Sequence, residues 1–389
     1  MKLLHTSDWH LGRSLHGEDL LGYQERFLGW LREQALAQGA HALVVSGDVY
    51  DRAVPPPDAV ALLDRTLVAF ARDNIPVVIT SGNHDSAIRL GFGAGLSEAA
   101  GIHLRTRVAD IARPVVISDE HGETGIYGIP YLLPDAVMTQ LAVAERSHGG
   151  VLAAAARLIR EDAAARSISR VVVAAHAFIT GSQASESERD IRVGGIADVP
   201  ASVFNGFSYV ALGHLHGQQR LRAGHTAGGI CYSGSPLAFS FSEARQAKSV
   251  TLVEIDAAGR VGTTLLPAPV PRPLREVRGR IDDLLERAGT DLAGLREAWV
   301  KAVLTDRVRP AAPMERLREK WPHTLVLDFA PEGGLAGADA DLARLAEVTD
   351  PVEICAMFVE FASGVEPDEE QRAVLRDAVE MAAHAEAGA

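Results

Sequence analysis

The sequence predicts a layered α/β fold, and two observations support that prediction. Short apolar runs recur without polar alternation, which is typical of strands that are buried on both faces of a sheet. Helical patterns separate most of these runs, and alternating strands and helices build α/β layers. The runs are KLLHTS, ALVVSG, PVVITS, RVVVAA and YVALG. Later strand-like segments joined by turns extend the prediction to a mixed sheet or a sandwich; they are TGIYGIP, GICYSGS, KSVTLVEI and RVGTTLL.

Two long amphipathic helices are predicted between the first three strands. The stretch QERFLGWLREQALAQ has apolar residues at helical spacing. The stretch PPPDAVALLDRTLVAFARD begins with prolines, which a helix tolerates in its first turn. These helices are expected to cover the sheet that the strands form.

Proline-rich and glycine-rich segments divide the chain into three predicted parts. The proline-rich PAPVPRP, residues 267–273, ends a first part that is predicted to span residues 1–268. A small α/β module with alternating strands and helices follows at residues 274–331. The glycine-rich PEGGLAGADA then precedes a region that is predicted to be helical, residues 338–389.

Composition indicates a soluble globular protein. Mean hydropathy is +0.05, and no apolar run is long enough to span a membrane, so a cytoplasmic location is expected. The two cysteines, Cys231 and Cys355, form no CxxC pair and are expected to be reduced. The net charge of -13 lies mostly in residues 331–389, which hold 14 acidic and 3 basic residues. The remaining net charge of -2 leaves nucleic acid possible as a partner.

Polar side chains follow five of the predicted strands at the point where each strand ends. Because parallel strands present their carboxyl ends to one crevice, these side chains are expected to converge. They offer oxygen and nitrogen ligands without sulfur, which suits manganese, iron or zinc. Seven ligands are too many for one ion, so two ions that share one carboxylate are predicted. The seven are Asp8, His10, Asp48, Asn83, His176, His214 and His216.

The order of these motifs resembles that of the calcineurin-like metallophosphoesterases. The motifs are DxH at 8–10, GDxxDR at 47–52, GNHD at 82–85, the single His176 and GHxH at 213–216. Longer stretches are similar to one bacterial branch of that family, the DNA nuclease subunits that act with an SMC-like ATPase. Those stretches are HTSDWHLGR, RDIRVGG, YVALGHLH and YSGSPLAFSF. The resemblance implies a sandwich of mixed sheets flanked by helices, a small capping domain and a helical tail.

The resemblance also implies how the seven ligands are shared. The position of Asp48 bridges the two ions, and manganese is the usual metal of the family. The first ion is expected at Asp8, His10, Asp48 and His216. The second ion is expected at Asp48, Asn83, His176 and His214.

His84 is implied to be a catalytic histidine near the leaving oxygen and not a metal ligand. A general acid needs its second ring nitrogen fixed by a carboxylate or a carbonyl. Asp51, the second aspartate of the GDxxDR motif, is expected to supply that carboxylate. Asp85, although adjacent to His84, is expected to support the turn, because consecutive residues leaving a strand point to opposite sides.

Two arginines are candidates for binding a substrate phosphate. Arg52 follows Asp51 and either contacts a phosphate or forms a structural salt bridge. Arg189 belongs to the polar loop GSQASESERDIR, residues 181–192, which is expected to lie near the crevice. Its hydroxyls and Arg189 could reach backbone phosphates, although a flexible surface loop is the commoner explanation.

The resemblance implies a manganese-dependent DNA nuclease in DNA repair, recombination and replication. Its expected activities are 3′ to 5′ exonuclease action on duplex DNA and endonuclease action on single strands or hairpins. A phosphomonoesterase or cyclic-nucleotide phosphodiesterase on the same scaffold is one alternative. A scaffold with structural metals that bridges DNA and an ATPase is another.

The tail is expected to bind the ATPase subunit. In DPVEICAMFVEF, Asp350 can cap a helix whose apolar residues fall at helical spacing, namely Ile354, Met357, Phe358 and Phe361. Such a stripe docks on a partner coiled coil or on the protein's own core. The resemblance favours the partner and implies a homodimer within a heterotetramer.

Overall fold

The structure is a computed structural model, and it divides into two compact units, Met1–Pro271 and Arg272–Ala389. Cys231 and Cys355, which were predicted to be reduced, are both free thiols. No helix among the described residues is both long and apolar enough to cross a membrane. The described residues are 1–189, 191, 199–221, 229–331, 348–363 and 366–387.

The strands of the first unit form two six-stranded sheets and a short hairpin. The strands are β1 (Lys2–Thr6), β2 (Ser14–Leu15), β3 (Glu18–Asp19), β4 (Ala42–Ser46), β5 (Val77–Thr80), β6 (Ile102–Arg105), β7 (Val115–Asp119), β8 (Gly122–Ile129), β9 (Arg170–His176), β10 (Tyr209–Gly213), β11 (Gln219–Leu221), β12 (Ile230–Tyr232), β13 (Ser249–Ile255) and β14 (Val261–Pro267). The first sheet has the order β14-β13-β1-β4-β5-β6 and the second β11-β12-β10-β9-β8-β7.

Four neighbouring strands of each sheet are parallel. In the first sheet β1, β4, β5 and β6 are parallel neighbours, and in the second β8, β9, β10 and β12 are. Both sheets carry antiparallel strands at an edge, so each sheet is mixed. The carboxyl ends of the parallel strands therefore lie side by side at one end of each sheet.

Helices cover the outer faces of the two sheets. They are α1 (Leu21–Gln38), α2 (Pro57–Arg72), α3 (Ala87–Leu90), α4 (Ala94–Glu98), α5 (Pro134–Val137) and α6 (His148–Ala165). As predicted, a proline starts α2, and Gly39 ends α1 with a left-handed φ of 62°. Ser147 caps α6 by accepting a hydrogen bond from the Gly150 N–H at 3.0 Å.

Three apolar clusters hold these layers together. Between the sheets, side chains such as Leu3 and Val44 from the first sheet pack with Val172 and Tyr209 from the second. A second cluster joins α1 and α2 to the first sheet, and a third joins α6 to the second sheet. The first unit is thus the sandwich of mixed sheets flanked by helices that the resemblance implies.

The second unit contains a three-stranded parallel sheet with the order β15-β16-β17. Its strands and helices are β15 (Leu274–Gly279), α7 (Ile281–Arg287), β16 (Trp299–Leu304), α8 (Pro313–Lys320), β17 (Thr324–Phe329), α9 (Pro351–Ser363) and α10 (Glu369–Ala387). The buried Trp321 and Leu317 pack with β16 and α7 in a small core. The glycine-rich boundary and the start of the predicted tail lie in 332–347, outside the described residues, so the three-part division stays a prediction.

Candidate metal centre

The strand ends bring the seven predicted ligands into one cluster. The loops after β1, β4 and β5 supply residues from the first sheet, and the ends of β9 and β10 supply those from the second. Nε2 of His10 lies 3.2 Å from Nε2 of His216. On the other side of Asp48, Oδ1 of Asn83 lies 2.8 Å from Nε2 of His176 and 3.3 Å from Nδ1 of His214.

Asp48 lies between these two groups of side chains. Its Oδ2 is 3.6 Å from Nε2 of His10 and 3.4 Å from Nε2 of His176. Asp8 joins both groups, because its carboxylate lies within 4.8 Å of ligand atoms of His10 and His216 and, separately, of Asp48 and His176. Oxygen and nitrogen atoms therefore surround Asp48 on two sides.

The backbone of this cluster is strained where the ligands are attached. Left-handed φ angles occur at Asp8 (53°), His10 (45°), Asp48 (49°) and His214 (102°). Such angles are uncommon for residues other than glycine and concentrate at functional sites. They turn the side chains out of the strand direction and into the crevice.

The glycines that precede three of the ligands, Asp48, Asn83 and His214, are required by close packing. A side chain on Gly82 would overlap the carboxylate and main-chain nitrogen of Asp48. A side chain on Gly213 would overlap the main-chain oxygen of Ser46 at the end of β4. The GD, GN and GH dipeptides of the motifs therefore allow strand ends from the two sheets to approach each other.

The charges of the cluster are incomplete without a cation. Asp8 and Asp48 are 0% and 2% exposed. Burial, together with the charge of Asp48, raises the pKa of Asp8 well above its ordinary value, and burial likewise raises the pKa of Asp48. Burial lowers the pKa of His10 well below its ordinary value and that of His176 to about 4, so both imidazoles are neutral.

These residues fit divalent metal. Two buried carboxylates repel each other unless positive charge lies between them. Neutral imidazoles supply lone pairs, and the facing Nε2 atoms of His10 and His216 cannot satisfy each other if both lack a proton. Nδ1 of His10 also has no hydrogen-bond partner among the described residues. A cation resolves both problems, so the cluster is a site for divalent metal.

His84 lies beside this cluster with one ring nitrogen fixed and the other directed at the site. Its main-chain N–H donates to Oδ1 of Asp48 at 2.9 Å, and its Nε2 lies 4.0 Å from Oδ2 of Asp48. One ring nitrogen of His84 also lies within 4.8 Å of ligand atoms of His10 and Asp48. Burial lowers the pKa of His84, although the charge of Asp48 opposes that shift.

The prediction that the Asp51 carboxylate contacts His84 is wrong, because a different atom of Asp51 makes the contact. Nδ1 of His84 contacts the main-chain oxygen of Asp51 at 2.6 Å. The Asp51 carboxylate turns instead toward Arg13, with Oδ1 at 3.8 Å from Nη1 of Arg13 and 3.6 Å from Nδ1 of His10. A carbonyl accepts only from a protonated Nδ1, so it fixes the tautomer of His84 as a carboxylate would.

Asp85 supports the turn around the site. Its carboxylate accepts hydrogen bonds from the main-chain N–H groups of Val49 at 3.1 Å, Tyr50 at 2.9 Å and Gly82 at 2.9 Å. Burial and the charge of Asp48 raise the pKa of Asp85 to about 6. This side chain ties the loop after β4 to the loop after β5 and so sets the spacing of Asp48 and Asn83.

The two candidate phosphate-binding arginines are both exposed. Arg52 makes no hydrogen bond or ion pair with another residue in the described ranges. Arg189 lies close enough to Asp48 and His84 for its charge to influence the pKa of both. Much of the sequence after Arg189, including most of RDIRVGG, lies outside the described residues.

Four polar residues surround His216: Ser187 and Glu188 belong to the loop 181–192 that was expected near the crevice, whereas sequence reasoning missed Glu243 and Lys248. Nδ1 of His216 lies 2.7 Å from Oγ of Ser187 and 3.2 Å from Oε1 of Glu243, and the His216 N–H donates to Glu188 at 2.7 Å. Nζ of Lys248 donates to the carbonyl of His216 at 2.9 Å. Glu243 lies two residues after the YSGSPLAFSF stretch, and that proximity is the signal that could have drawn attention to it.

The fold and this site define a metal-dependent phosphoesterase of the calcineurin-like class. A family model described as calcineurin-like phosphoesterase matches residues 1–218. A second model, for the SbcD C-terminal domain and described as type 5 capsule protein repressor C-terminal domain, matches residues 270–361. The SbcD subunit of the nuclease SbcCD from Staphylococcus saprophyticus is 30% identical over 333 residues, 84% of each chain. The chain therefore belongs to the SbcD family of the calcineurin-like phosphoesterases.

Two solved structures are similar to the chain only at low TM-scores. The crystal structure of TT1561 from Thermus thermophilus covers 68% of this chain and 98% of its own, with 13% identity and a TM-score of 0.40. A family 1 β-glucosidase from Thermotoga maritima covers 84% of this chain and 86% of its own, with 10% identity and a TM-score of 0.22. Both scores are too low to support a conclusion.

Proposed function

We propose that the chain is a manganese-dependent DNA nuclease subunit that acts with an SbcC-type ATPase. The observation that carries the proposal is the arrangement of nitrogen and oxygen ligands on two sides of the buried Asp48. Two bound divalent ions would supply an activated water and polarise the oxygens of a phosphodiester. The rest of the reaction depends on residues of the chain.

The ligand distribution follows the two groups around Asp48. Asp8, His10 and His216 would hold the first ion with Asp48, because their ligand atoms cluster on one side. Asn83, His176 and His214 would hold the second ion with Asp48, because Asn83 contacts both histidines. The ligands alone suit manganese, iron or zinc, and the family resemblance favours manganese.

His84 would move a proton at Nε2. Its Nδ1 proton is committed to the carbonyl of Asp51, which leaves Nε2 directed at the site. An anionic phosphate beside Nε2 favours the charged imidazolium, because an opposite charge nearby stabilises it. The imidazolium can then protonate the leaving oxygen of the cleaved ester. Asp51 supports this role through its main-chain oxygen.

Arg52 and Arg189 would bind phosphates of the DNA backbone. Both guanidinium groups are exposed, and Arg189 lies within electrostatic reach of Asp48 and His84. Arginine forms bidentate contacts with phosphate oxygens, which position a nucleic acid without reading its sequence. They would hold the strand with one phosphodiester at the metal centre.

DNA is the favoured substrate for two reasons. The S. saprophyticus relative is named as a nuclease. The small α/β module also carries 12 basic and 10 acidic residues between 272 and 330, a slight positive excess in an acidic chain. The proposed activities are 3′ to 5′ exonuclease action on duplex DNA and endonuclease action on single strands and hairpins, in DNA repair, recombination and replication.

One assay distinguishes this function from its alternatives. The purified chain with Mn²⁺ is given linear duplex DNA, a hairpin and a generic phosphomonoester, with and without the ATPase. We expect cleavage of DNA that EDTA stops and little turnover of the phosphomonoester. Efficient phosphomonoester turnover without DNA cleavage would indicate the small-molecule phosphatase, and no hydrolysis of any substrate would indicate the scaffold.

The helices α9 and α10 are the proposed binding site for the ATPase. Oδ1 of Asp350 accepts a hydrogen bond from the Val352 N–H at 2.9 Å, as the predicted cap requires. The residues of the apolar stripe differ in exposure: Met357 is 9% exposed and thus buried, whereas Phe358 is 65% exposed. The side chain of Phe361 lies outside the described residues. An exposed phenylalanine on such a helix suits a groove on a coiled coil.

Truncation after Ala330 is expected to abolish binding to the ATPase and to leave manganese-dependent cleavage of DNA intact. The reason is that the truncation removes α9 and α10 but none of the residues around Asp48. Pull-down with the purified ATPase measures binding, and the nuclease assay on the same preparation is the control. Undiminished binding would place the contact elsewhere in the chain.

A homodimer is the proposed assembly of this chain within the heterotetramer. Three large apolar side chains in a short segment after the GNHD motif are almost fully exposed, namely Ile88 at 87%, Phe92 at 88% and Leu96 at 84%. Exposed apolar patches of this kind commonly mark interfaces. A second copy of the same segment would cover these side chains around a twofold axis.

Phe92→Asp is expected to convert the dimer to a monomer, because it would place a charge in the apolar contact. Size-exclusion chromatography with light scattering measures the mass. Val308→Asp, which changes another exposed apolar residue (59% exposed) in the second unit, is the matched control and should leave the mass unchanged. A wild-type mass for the Phe92 variant would exclude this segment as the interface.

A further inference from the structure

The hydrogen bonds around His216 determine which of its ring nitrogens faces the site. The hydroxyl of Ser187 lies 2.5 Å from Oε1 of Glu243, so its proton goes to that carboxylate. Oγ of Ser187 then accepts from Nδ1 of His216 at 2.7 Å. Nδ1 of His216 is therefore protonated, and Nε2, which faces His10, carries the lone pair.

Glu243 begins this chain of hydrogen bonds and is held in a buried ion pair. The residue is 1% exposed, and its Oε2 lies 2.5 Å from Nζ of Lys248, which is 6% exposed. Oε1 also accepts from the Phe239 N–H at 3.1 Å. A buried carboxylate needs both a counter-charge and hydrogen bonds, and Glu243 has both.

Lys248 fixes the main chain of His216 as well as the carboxylate. Its Nζ donates to the carbonyl of His216 at 2.9 Å and to Oγ of Ser235 at 2.9 Å. Glu188 accepts from the N–H of His216 at 2.7 Å. The amide, the carbonyl and the imidazole of one histidine are thus each held by a different polar contact.

The same contacts bind the polar loop to the metal centre. The main-chain oxygen of Ser187 accepts from Nη2 of Arg13 at 3.2 Å, and the hydroxyl of Ser187 is directed inward. The hydroxyl of Ser187 is therefore engaged with protein groups and not free for a phosphate, in contrast to the expectation from sequence. Arg189, two residues later, is brought toward Asp48 and His84.

We propose that Glu243, with Lys248 as its buried counter-charge, is a positioning residue that holds Nε2 of His216 toward the metal site. This inference rests on the proposed function, because it concerns one of the proposed ligands of the first ion. Partners that orient a metal-binding histidine in this way typically contribute about 10- to 100-fold to metal affinity.

The double variant Glu243→Gln with Lys248→Met tests the proposal, because it removes both charges together and leaves neither buried alone. Titration of the metal-free chain with Mn²⁺, followed by electron paramagnetic resonance, measures the affinity of each site without relying on activity. We expect one of the two sites to weaken by about 10-fold or more and the other to keep its affinity.

A second buried ion pair in the same unit provides the matched control. Asp119 and Arg170 have side chains that are 4% and 3% exposed, and their contact lies at 2.6 Å. The variant Arg170→Met, which leaves Asp119 paired with the amino group of Met1, should keep both manganese affinities. Equal weakening in this control would show that Glu243 and Lys248 act only through general stability, and would overturn the proposal.

The remaining outcomes separate this inference from the proposed function. A folded double variant with both wild-type affinities overturns the role of Glu243 but leaves the nuclease proposal standing. A wild-type chain that binds no Mn²⁺ overturns both. If the double variant does not fold, Glu243→Asp decides, because it keeps the charge opposite Lys248 but withdraws the carboxylate from His216. Weaker binding at one site then supports the proposal, and two wild-type affinities overturn it.

Discussion

Replacing His84 with alanine is expected to reduce DNA cleavage by about 10²- to 10⁴-fold, the usual contribution of a general acid or base. Both manganese ions should still bind, because the imidazole is not one of the proposed ligands. Only the main-chain N–H of His84 contacts Asp48 closely, and alanine keeps that group. The variant should therefore separate the chemical step from metal binding.

Cleavage rates on linear duplex DNA and manganese content of the same preparation measure this prediction. His103→Ala is the matched control, since His103 lies on β6 beside Glu98 and belongs to no part of the proposed site. The control should cleave at the wild-type rate. Retained cleavage by the His84 variant would count against its role, and loss of manganese would make His84 a ligand.

Replacing Asp48 with alanine is expected to remove the manganese ions and the activity together. Asp48 lies between the two groups of ligands and is the only carboxylate assigned to both ions. A metal ion contributes several kcal/mol to the transition state of such a reaction. At about 1.4 kcal/mol for each factor of ten, the expected loss of cleavage is about 10³-fold or more.

Replacing Asp48 with asparagine should not destabilise the metal-free chain, although the replacement of Asp48 is expected to abolish activity. Asp48→Asn removes one of two buried carboxylates that repel each other, and its amide oxygen can still accept from the His84 N–H. The metal-free variant should melt at the same temperature as the metal-free wild type or higher. Asp110→Asn, which changes a buried carboxylate paired with Arg107 and Arg113, is the control and should melt lower.

Manganese content by inductively coupled plasma mass spectrometry and thermal melts by circular dichroism test both parts of this prediction. An Asp48 variant with wild-type manganese content would contradict the assignment of the bridge. A lower melting temperature for metal-free Asp48→Asn would show that the two carboxylates do not destabilise the metal-free fold.

The positions of the strands and the convergence of the strand ends could be predicted from sequence, because both follow from apolar patterning and from the geometry of parallel sheets. The runs KLLHTS, ALVVSG and PVVITS correspond to β1, β4 and β5 in the first sheet. Polar residues directly after such strands must lie together at the carboxyl ends of the parallel strands. The glycines before Asp48, Asn83 and His214 mark the same positions, since close approach of two sheets leaves no space for a side chain.

The contacts that fix the site could not be predicted in the same way. The partner of His84 is a main-chain carbonyl, which any residue at position 51 would supply, so residue type carried no information about it. The resemblance to the GDxxDR motif indicates the Asp51 carboxylate as the partner of His84, but Arg13 lies nearby and attracts that carboxylate. Glu243 and Lys248 lie 27 and 32 residues after His216, and no rule of residue spacing places their side chains at that histidine.

The number of manganese ions bound by the wild-type chain tests the central claim most directly. Titration of the metal-free protein with Mn²⁺ gives that number, because electron paramagnetic resonance distinguishes free from bound metal. Two ions per chain are predicted, with their binding lost in Asp48→Ala. A single ion per chain, or two ions that remain bound in Asp48→Ala, would contradict a two-metal centre bridged by Asp48.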